Sequence, residues 1–134
     1  MASVFSKIIA GELPAHKVAE DEKHLAFLDI NPLKKGHALA IPKKEIDYIF
    51  DLTEQEYLDL QKFARKAGLA IEKNVECKRM GIAVLGLEVP HAHIHLIPIH
   101  NEGDLNFSNK RVKMNDDELA ELAVSIKKDF DNLA

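Results

Sequence analysis

The chain has 134 residues, 46% of them apolar and 30% charged, with 6 glycines and 5 prolines. That is the balance of one water-soluble domain, 1–134, long enough to bury a core without covalent staples. A net charge of −4 argues against long nucleic acid or an anionic membrane as partner, and no stretch approaches the roughly 18 apolar residues of a membrane span. Cys77 is the only cysteine, which excludes an intrachain disulfide, a C-x-x-C redox pair and a four-cysteine zinc site, and makes the cytoplasm the expected compartment.

Ser3 is placed to cap a short helix that turns Val4, Phe5, Ile8 and Ile9 toward a core and ends at Gly11. Residues 18–20 and 25–28 flank a polar turn and read as two antiparallel strands. After a turn at 31–36, the run 37–41 reads as a third strand closed by Pro42, with His37, Leu39 and Ile41 on one face. Thr53-Glu54-Gln55-Glu56 is a capping box, and Tyr57, Leu60, Phe63, Ala64, Ala67 and Ile71 recur at helical spacing to about Asn74. The runs 80–85 and 91–99 read as strands, and Asn115 to Glu118 caps a final helix with Leu119, Leu122, Ile126 and Phe130 inward. Strands in succession with helices set apart argue for α+β: an antiparallel sheet of about five strands with two main helices.

Three of the 7 histidines fall in five positions: His91, His93 and His95. On a strand they share one face at intervals of about 6 to 7 Å, while Ala92, Ile94 and Leu96 face the core. Three imidazoles there are costly to satisfy, so the pattern points to chemistry. Two chemistries fit. One is a metal site completed by His37, although no acid lies within the run. The other is covalent catalysis by the central His93. Neutral imidazole is a competent nucleophile near pH 7, and its adduct with phosphorus can be resolved by water.

His91-Ala92-His93-Ile94-His95-Leu96-Ile97 resembles the signature of the histidine triad family of nucleotide hydrolases and transferases. Three upstream blocks resemble that family in the same order: Phe5 to Pro14, Ala26 to Pro32, and Gly36 to Lys44. The resemblance implies a homodimer without metal or other cofactor that acts on a small, expectedly purine, nucleotide. It implies that His93 attacks the α-phosphorus of a nucleoside 5′-phosphoramidate or related conjugate, passes through a nucleotidyl-histidine and releases the nucleoside monophosphate. By the same resemblance His95 contacts the phosphate or leaving group, His91 orients His93, and His37 supports the triad from outside. Asp29 would hold the ribose hydroxyls, and Ile30, Phe5, Ile8 and Phe27 would form the base slot.

Gly86-Leu87-Glu88-Val89 stands where the family commonly has Gly-Gln-Ser/Thr-Val. Gly86 permits close backbone approach, but Leu87 cannot hydrogen-bond a phosphate and Glu88 would repel one. Those two residues motivate nucleotide binding with little turnover as the alternative of another class; within the enzyme class the compact length and the Ala92-His93-Ile94-His95 run favour phosphoramidate cleavage over dinucleoside polyphosphate hydrolysis, the alternative reaction. His16, His24 and His100 read as surface residues, Lys34, Lys35, Lys43 and Lys44 as a solvated rim, and Cys77 as a small buried residue.

Overall fold

A computed structural model describes residues 3–133. Helix α1 (Val4–Ile9) leads to strands β1 (Lys17–Glu20), β2 (His24–Leu28) and β3 (Ala38–Pro42). Helix α2 (Glu54–Glu72), strands β4 (Arg79–Ala83) and β5 (Ile94–Ile99) and helix α3 (Asp116–Asn132) follow, with short 3₁₀ turns at Ile49–Asp51 and Glu102–Leu105. The strands form one antiparallel sheet in the order β1-β2-β3-β5-β4. The fold is thus α+β, with five strands and two main helices. Among the described residues, no helix is long and apolar enough to cross a membrane.

Strand alternation divides the core in two. Ala26 and Leu28 of β2, Ala38 and Ala40 of β3, and Ile94 and Leu96 of β5 pack against Leu60, Phe63, Ala64, Ala67 and Ile71 of α2 and against Leu119, Leu122, Ile126 and Phe130 of α3. The alanines on this face remove bulk where α2, with its own Ala64 and Ala67, lies across the sheet. Leu25 and Phe27 of β2 and Leu39 and Ile41 of β3 face the other way, where Phe5 and Ile8 of α1 cover them. That second face is the one on which His37, His93 and His95 gather. Both capping boxes expected from sequence are formed, Thr53 with Glu56 and Asn115 with Glu118.

The fifth strand is shorter than the sequence suggests, and the third is displaced by one residue and takes in Pro42. Strand β5 starts at Ile94, because the backbone N–H of His91 donates to Val89 (2.8 Å) and that of Ala92 to Ile46 (2.6 Å). His91 and His93 therefore stand on an irregular lead-in whose hydrogen bonds go to the chain itself and not to a strand ladder. Strand β3 starts at Ala38, leaving His37 in the turn. That turn depends on Gly36, whose φ is +97°; a Cβ there would also stand 3.1 Å from both Pro98 and Val75.

His24 departs from its expected surface position. It is buried at the start of β2, stacked on Phe63 with centroids 5.0 Å apart, and its Nδ1 lies 2.9 Å from Asp21 Oδ1. His16 is half-buried beside Asp116, and Cys77 is half-buried where a buried residue was expected. His100 is exposed. Of the lysine rim, Lys34 is tied to Asp104 (3.1 Å), Lys43 to Glu20 (2.9 Å) and Lys44 to Glu56 (3.0 Å).

Candidate active site

The histidines form two hydrogen-bonded pairs, His37 with His95 and His91 with His93, whose directions follow from the groups at their ends. His37 is fully buried, and its Nδ1 accepts the backbone N–H of Leu33 at 3.0 Å. Burial, then the neighbouring His95 and Arg111 charges, pushes its pKa down to about 3, so the ring is neutral and its one proton sits on Nε2. Nε2–H donates to Nδ1 of His95 at 3.0 Å. His95 is likewise held down, to about 4, by burial and by His93 and Arg111. Since its Nδ1 accepts, the proton of neutral His95 is on Nε2.

The same reasoning applies to the other pair. His91 Nε2 lies 2.7 Å from the carbonyl of Pro42, which only accepts, so His91 donates from Nε2. Burial pushes the pKa of His91 below its ordinary value. His93 Nδ1 lies 2.7 Å from the carbonyl of His91 and must donate to it. Neutral His93 therefore carries its lone pair on Nε2. Together the two pairs set a nucleophilic nitrogen on His93 and an N–H on His95 on neighbouring rings whose centroids are 5.0 Å apart.

These two rings line a cleft of about 470 Å³ with Phe5, Asp29, Leu39, Phe107 and Arg111. Phe5 presents its ring edge-on to His93 at 5.1 Å, and Phe107 does the same to His95 at 4.8 Å. Both rings limit how far the imidazoles can swing. Asp29 accepts the N–H of Asn31 on Oδ1 at 2.8 Å, and burial raises its pKa despite that bond and the nearby Arg111. Gly86 (φ +70°), Leu87 and Glu88 form the outer mouth. Leu87 is 90% exposed, so it leaves room above His93. His93 also borders a second depression, with Tyr48, Phe50, Tyr57 and Leu85.

Of the expected base-slot residues, only Phe5 lines the cleft. Ile8 and Phe27 lie beneath it in the core. Ile30 is 73% exposed and borders a separate shallow groove with Val112 and Met114, because the turn begun at Asp29 swings it outward. Sequence reasoning missed Phe107 and Arg111. The guanidinium of Arg111 donates to the carbonyls of Asn31 (2.9 Å) and Phe107 (3.2 Å) and so pins the loop between β5 and α3 against the cleft. The loop has no periodicity to mark it; the aromatic followed by Lys110 and Arg111 was the one local signal.

Asp29, His37 and His95 are the cluster whose ligand atoms lie close enough to hold a metal ion, all within 4.8 Å of one another. In the present arrangement the facing nitrogens of His37 and His95 share a proton, so the two lone pairs a metal needs do not both point into one open site.

The HIT domain family matches residues 10–102. An HIT-like protein of Methanocaldococcus jannaschii is 41% identical over 112 residues, covering 75% of this chain and 81% of that one. An adenosine 5′-monophosphoramidase of Schizosaccharomyces pombe is 37% identical over 103 residues, covering 76% and 77%. The crystal structure of a hypothetical histidine triad nucleotide-binding protein from Sulfolobus tokodaii superposes with a TM-score of 0.81 at 31% identity, covering 96% of this chain and 92% of that one. With that match across the sheet and the triad it carries, the chain belongs to the histidine triad family.

Proposed function

We propose that this protein hydrolyses nucleoside 5′-phosphoramidates, or closely related nucleotidyl conjugates, through a covalent adduct on His93. The observation that supports the reading is the hydrogen bonding of the two histidine pairs, which puts the lone pair of the neutral His93 ring on Nε2 beside an N–H on His95 in one cleft. The phosphoramidase name of the Schizosaccharomyces pombe relative supports the choice of bond.

In the first step Nε2 of His93 bonds to the α-phosphorus and the phosphorus–nitrogen bond breaks. The departing amine takes a proton from water at the open mouth. His95, whose pKa of about 4 keeps it neutral, serves as a hydrogen-bond donor to a phosphoryl oxygen, not as a cationic acid. The imidazolium formed on His93 keeps its Nδ1–H on the carbonyl of His91. Water then attacks phosphorus, the bond to Nε2 breaks and the nucleoside monophosphate leaves; the proton given up by the attacking water goes to solvent and replaces the one the amine carried away. In this reading Asp29, which lines the cleft, accepts hydrogen bonds from the ribose hydroxyls.

Chromatography of adenosine 5′-phosphoramidate incubated with the protein tests this. AMP is expected to form catalytically and at an unchanged rate in EDTA. Loss of activity in EDTA, restored by a divalent metal, would favour a metal-dependent reaction at Asp29, His37 and His95. A second reading, nucleotide binding with little turnover, draws on Leu87 and Glu88, which give the mouth no side-chain donor for a phosphate. Tight AMP binding by calorimetry without AMP release would select it.

The proposal includes a homodimer. Strand β4 ends the sheet with one edge unpaired, and its exposed Ile82 lines a groove with Leu69 of α2. A second β4 would satisfy that edge and cover Ile82 and Leu69 in the groove. Sedimentation velocity is expected to show twice the chain mass, shifting to the single chain in Ile82→Glu. A wild-type protein that sediments as a single chain would contradict the dimer.

A further inference from the structure

One cluster of polar side chains outside the cleft is not used by the mechanism above. Ser3 is 5% exposed and lies 3.0 Å from Nδ1 of His91, 88 residues away in sequence. The direction of that bond is fixed: Pro42 takes the Nε2–H of His91, so Nδ1 can only accept, and the Ser3 hydroxyl donates. The same hydroxyl oxygen accepts the N–H of Ser6 at 3.0 Å, as the N-cap of α1. Glu45, just after β3, braces the pair. Its Oε1 accepts the Ser3 N–H and the Ser6 hydroxyl, each at 2.6 Å.

We propose that Ser3 is a positioning residue of the triad, which holds His91 in the tautomer and place that aim the His93 nucleophile, so that α1 and Glu45 form part of the catalytic apparatus. The inference rests on His93 being the nucleophile. The His91 ring is suspended between the end of β3 and α1, and the carbonyl of the same residue receives Nδ1–H of His93. A ring anchored at both nitrogens keeps that carbonyl still. Without the Ser3 hydroxyl, only the Ser6 hydroxyl stays near that end, 3.5 Å from Nδ1 and already donating to Glu45, so the ring is freer to turn or exchange tautomers and the carbonyl acceptor of His93 moves with it.

Simple helix capping does not account for the choice of residue. Asp or Asn caps as well as Ser does. A carboxylate cannot donate to Nδ1, whereas a hydroxyl donates and accepts through one atom, and Thr offers the same. The charged groups facing His91 are Glu45, from the segment after β3, and His93 on its own segment. Phe5 meets its ring edge at 5.8 Å. An aspartate at position 3 would place a second carboxylate against Nδ1 and draw a proton onto it, while still capping α1.

The test compares wild type with Ser3→Ala, Ser3→Thr and Ser3→Asp by ring ¹⁵N NMR of the histidines and by kinetics on adenosine 5′-phosphoramidate. In wild type His91 should be protonated on Nε2 and His93 on Nδ1. Ser3→Ala should mix the His93 tautomers and lower kcat about tenfold, with KM changed less than about twofold. Ser3→Thr should restore both readouts, and Ser3→Asp should fail in both with α1 still capped. A wild-type kcat and unchanged ring spectrum in Ser3→Ala, or full activity in Ser3→Asp, would overturn the proposal. The ring spectra report the relay whether or not the substrate is turned over, so a wrong substrate assignment and a wrong positioning role give different results.

Discussion

Replacing His93 with alanine is expected to lower kcat for adenosine 5′-phosphoramidate by at least about 10⁴-fold, while the Kd for AMP stays within about threefold. The asymmetry follows from where the ring sits. Its Nε2 lone pair is used only when phosphorus is attacked, whereas Asp29, Phe5, Phe107 and Arg111 line the same cleft independently of it. The His93 ring meets Phe5 and His95 edge to face and belongs to neither core cluster, so its removal leaves both clusters intact. Steady-state kinetics paired with calorimetry checks both halves. A variant within tenfold of the wild-type kcat would remove His93 from the nucleophile's role. A large loss of AMP affinity would instead make it a binding residue.

The buried histidines should also give stability a steep acid limb in an unusual window. The folded pKa of His37 is about 3 and that of His95 about 4, both below the ordinary value of 6.5. In that interval the unfolded chain binds more protons than the folded one, so stability is fully present above about pH 6.5 and falls as pH drops below it. Between pH 6.5 and 4.5 each ring should remove about 2 to 3 kcal/mol, a large part of a typical 5–15 kcal/mol. The depressed carboxylates, Glu45 and Glu56 at about 2, act below their ordinary 4.5, so their loss starts where the histidine window ends. Asp29 works in the opposite direction, since burial raises its pKa. Urea denaturation at half-unit pH steps measures the slope. In His37→Gln the slope between pH 6.5 and 4.5 should fall by about 1 kcal/mol per pH unit, the share of one ring beside His95 and His91. A slope unaffected by that change would show that His37 is not held neutral.

Much of this was legible because the signals were periodic. The capping box at Thr53 and the three- and four-residue spacing behind it gave α2, and alternation gave the strands that carry Leu39 and Ile94. The four histidines could be nominated from the triad pattern and the upstream block. Their protonation could not, because it is set by partners that sequence does not place: the N–H of Leu33, the carbonyl of Pro42 and the hydroxyl of Ser3. His24 was misread for the same reason. The ring that buries it, Phe63, belongs to α2, and only the packing of α2 on the sheet brings the two together. Ile30 failed in the reverse direction, as an apolar residue exposed by the turn that positions Asp29. Arg111 and Phe107 sit in a loop, where residue identity alone carries no direction.

The central claim is that phosphorus passes through Nε2 of His93. Intact-protein mass spectrometry after rapid mixing with adenosine 5′-phosphoramidate, quenched at mildly alkaline pH to preserve a phosphohistidine, tests it most directly. An AMP-sized adduct should appear within the first turnover, decay as AMP is released, map to His93 and be absent from His93→Ala. AMP release at the same rate with no adduct at any time, or an adduct that persists in His93→Ala, would contradict it.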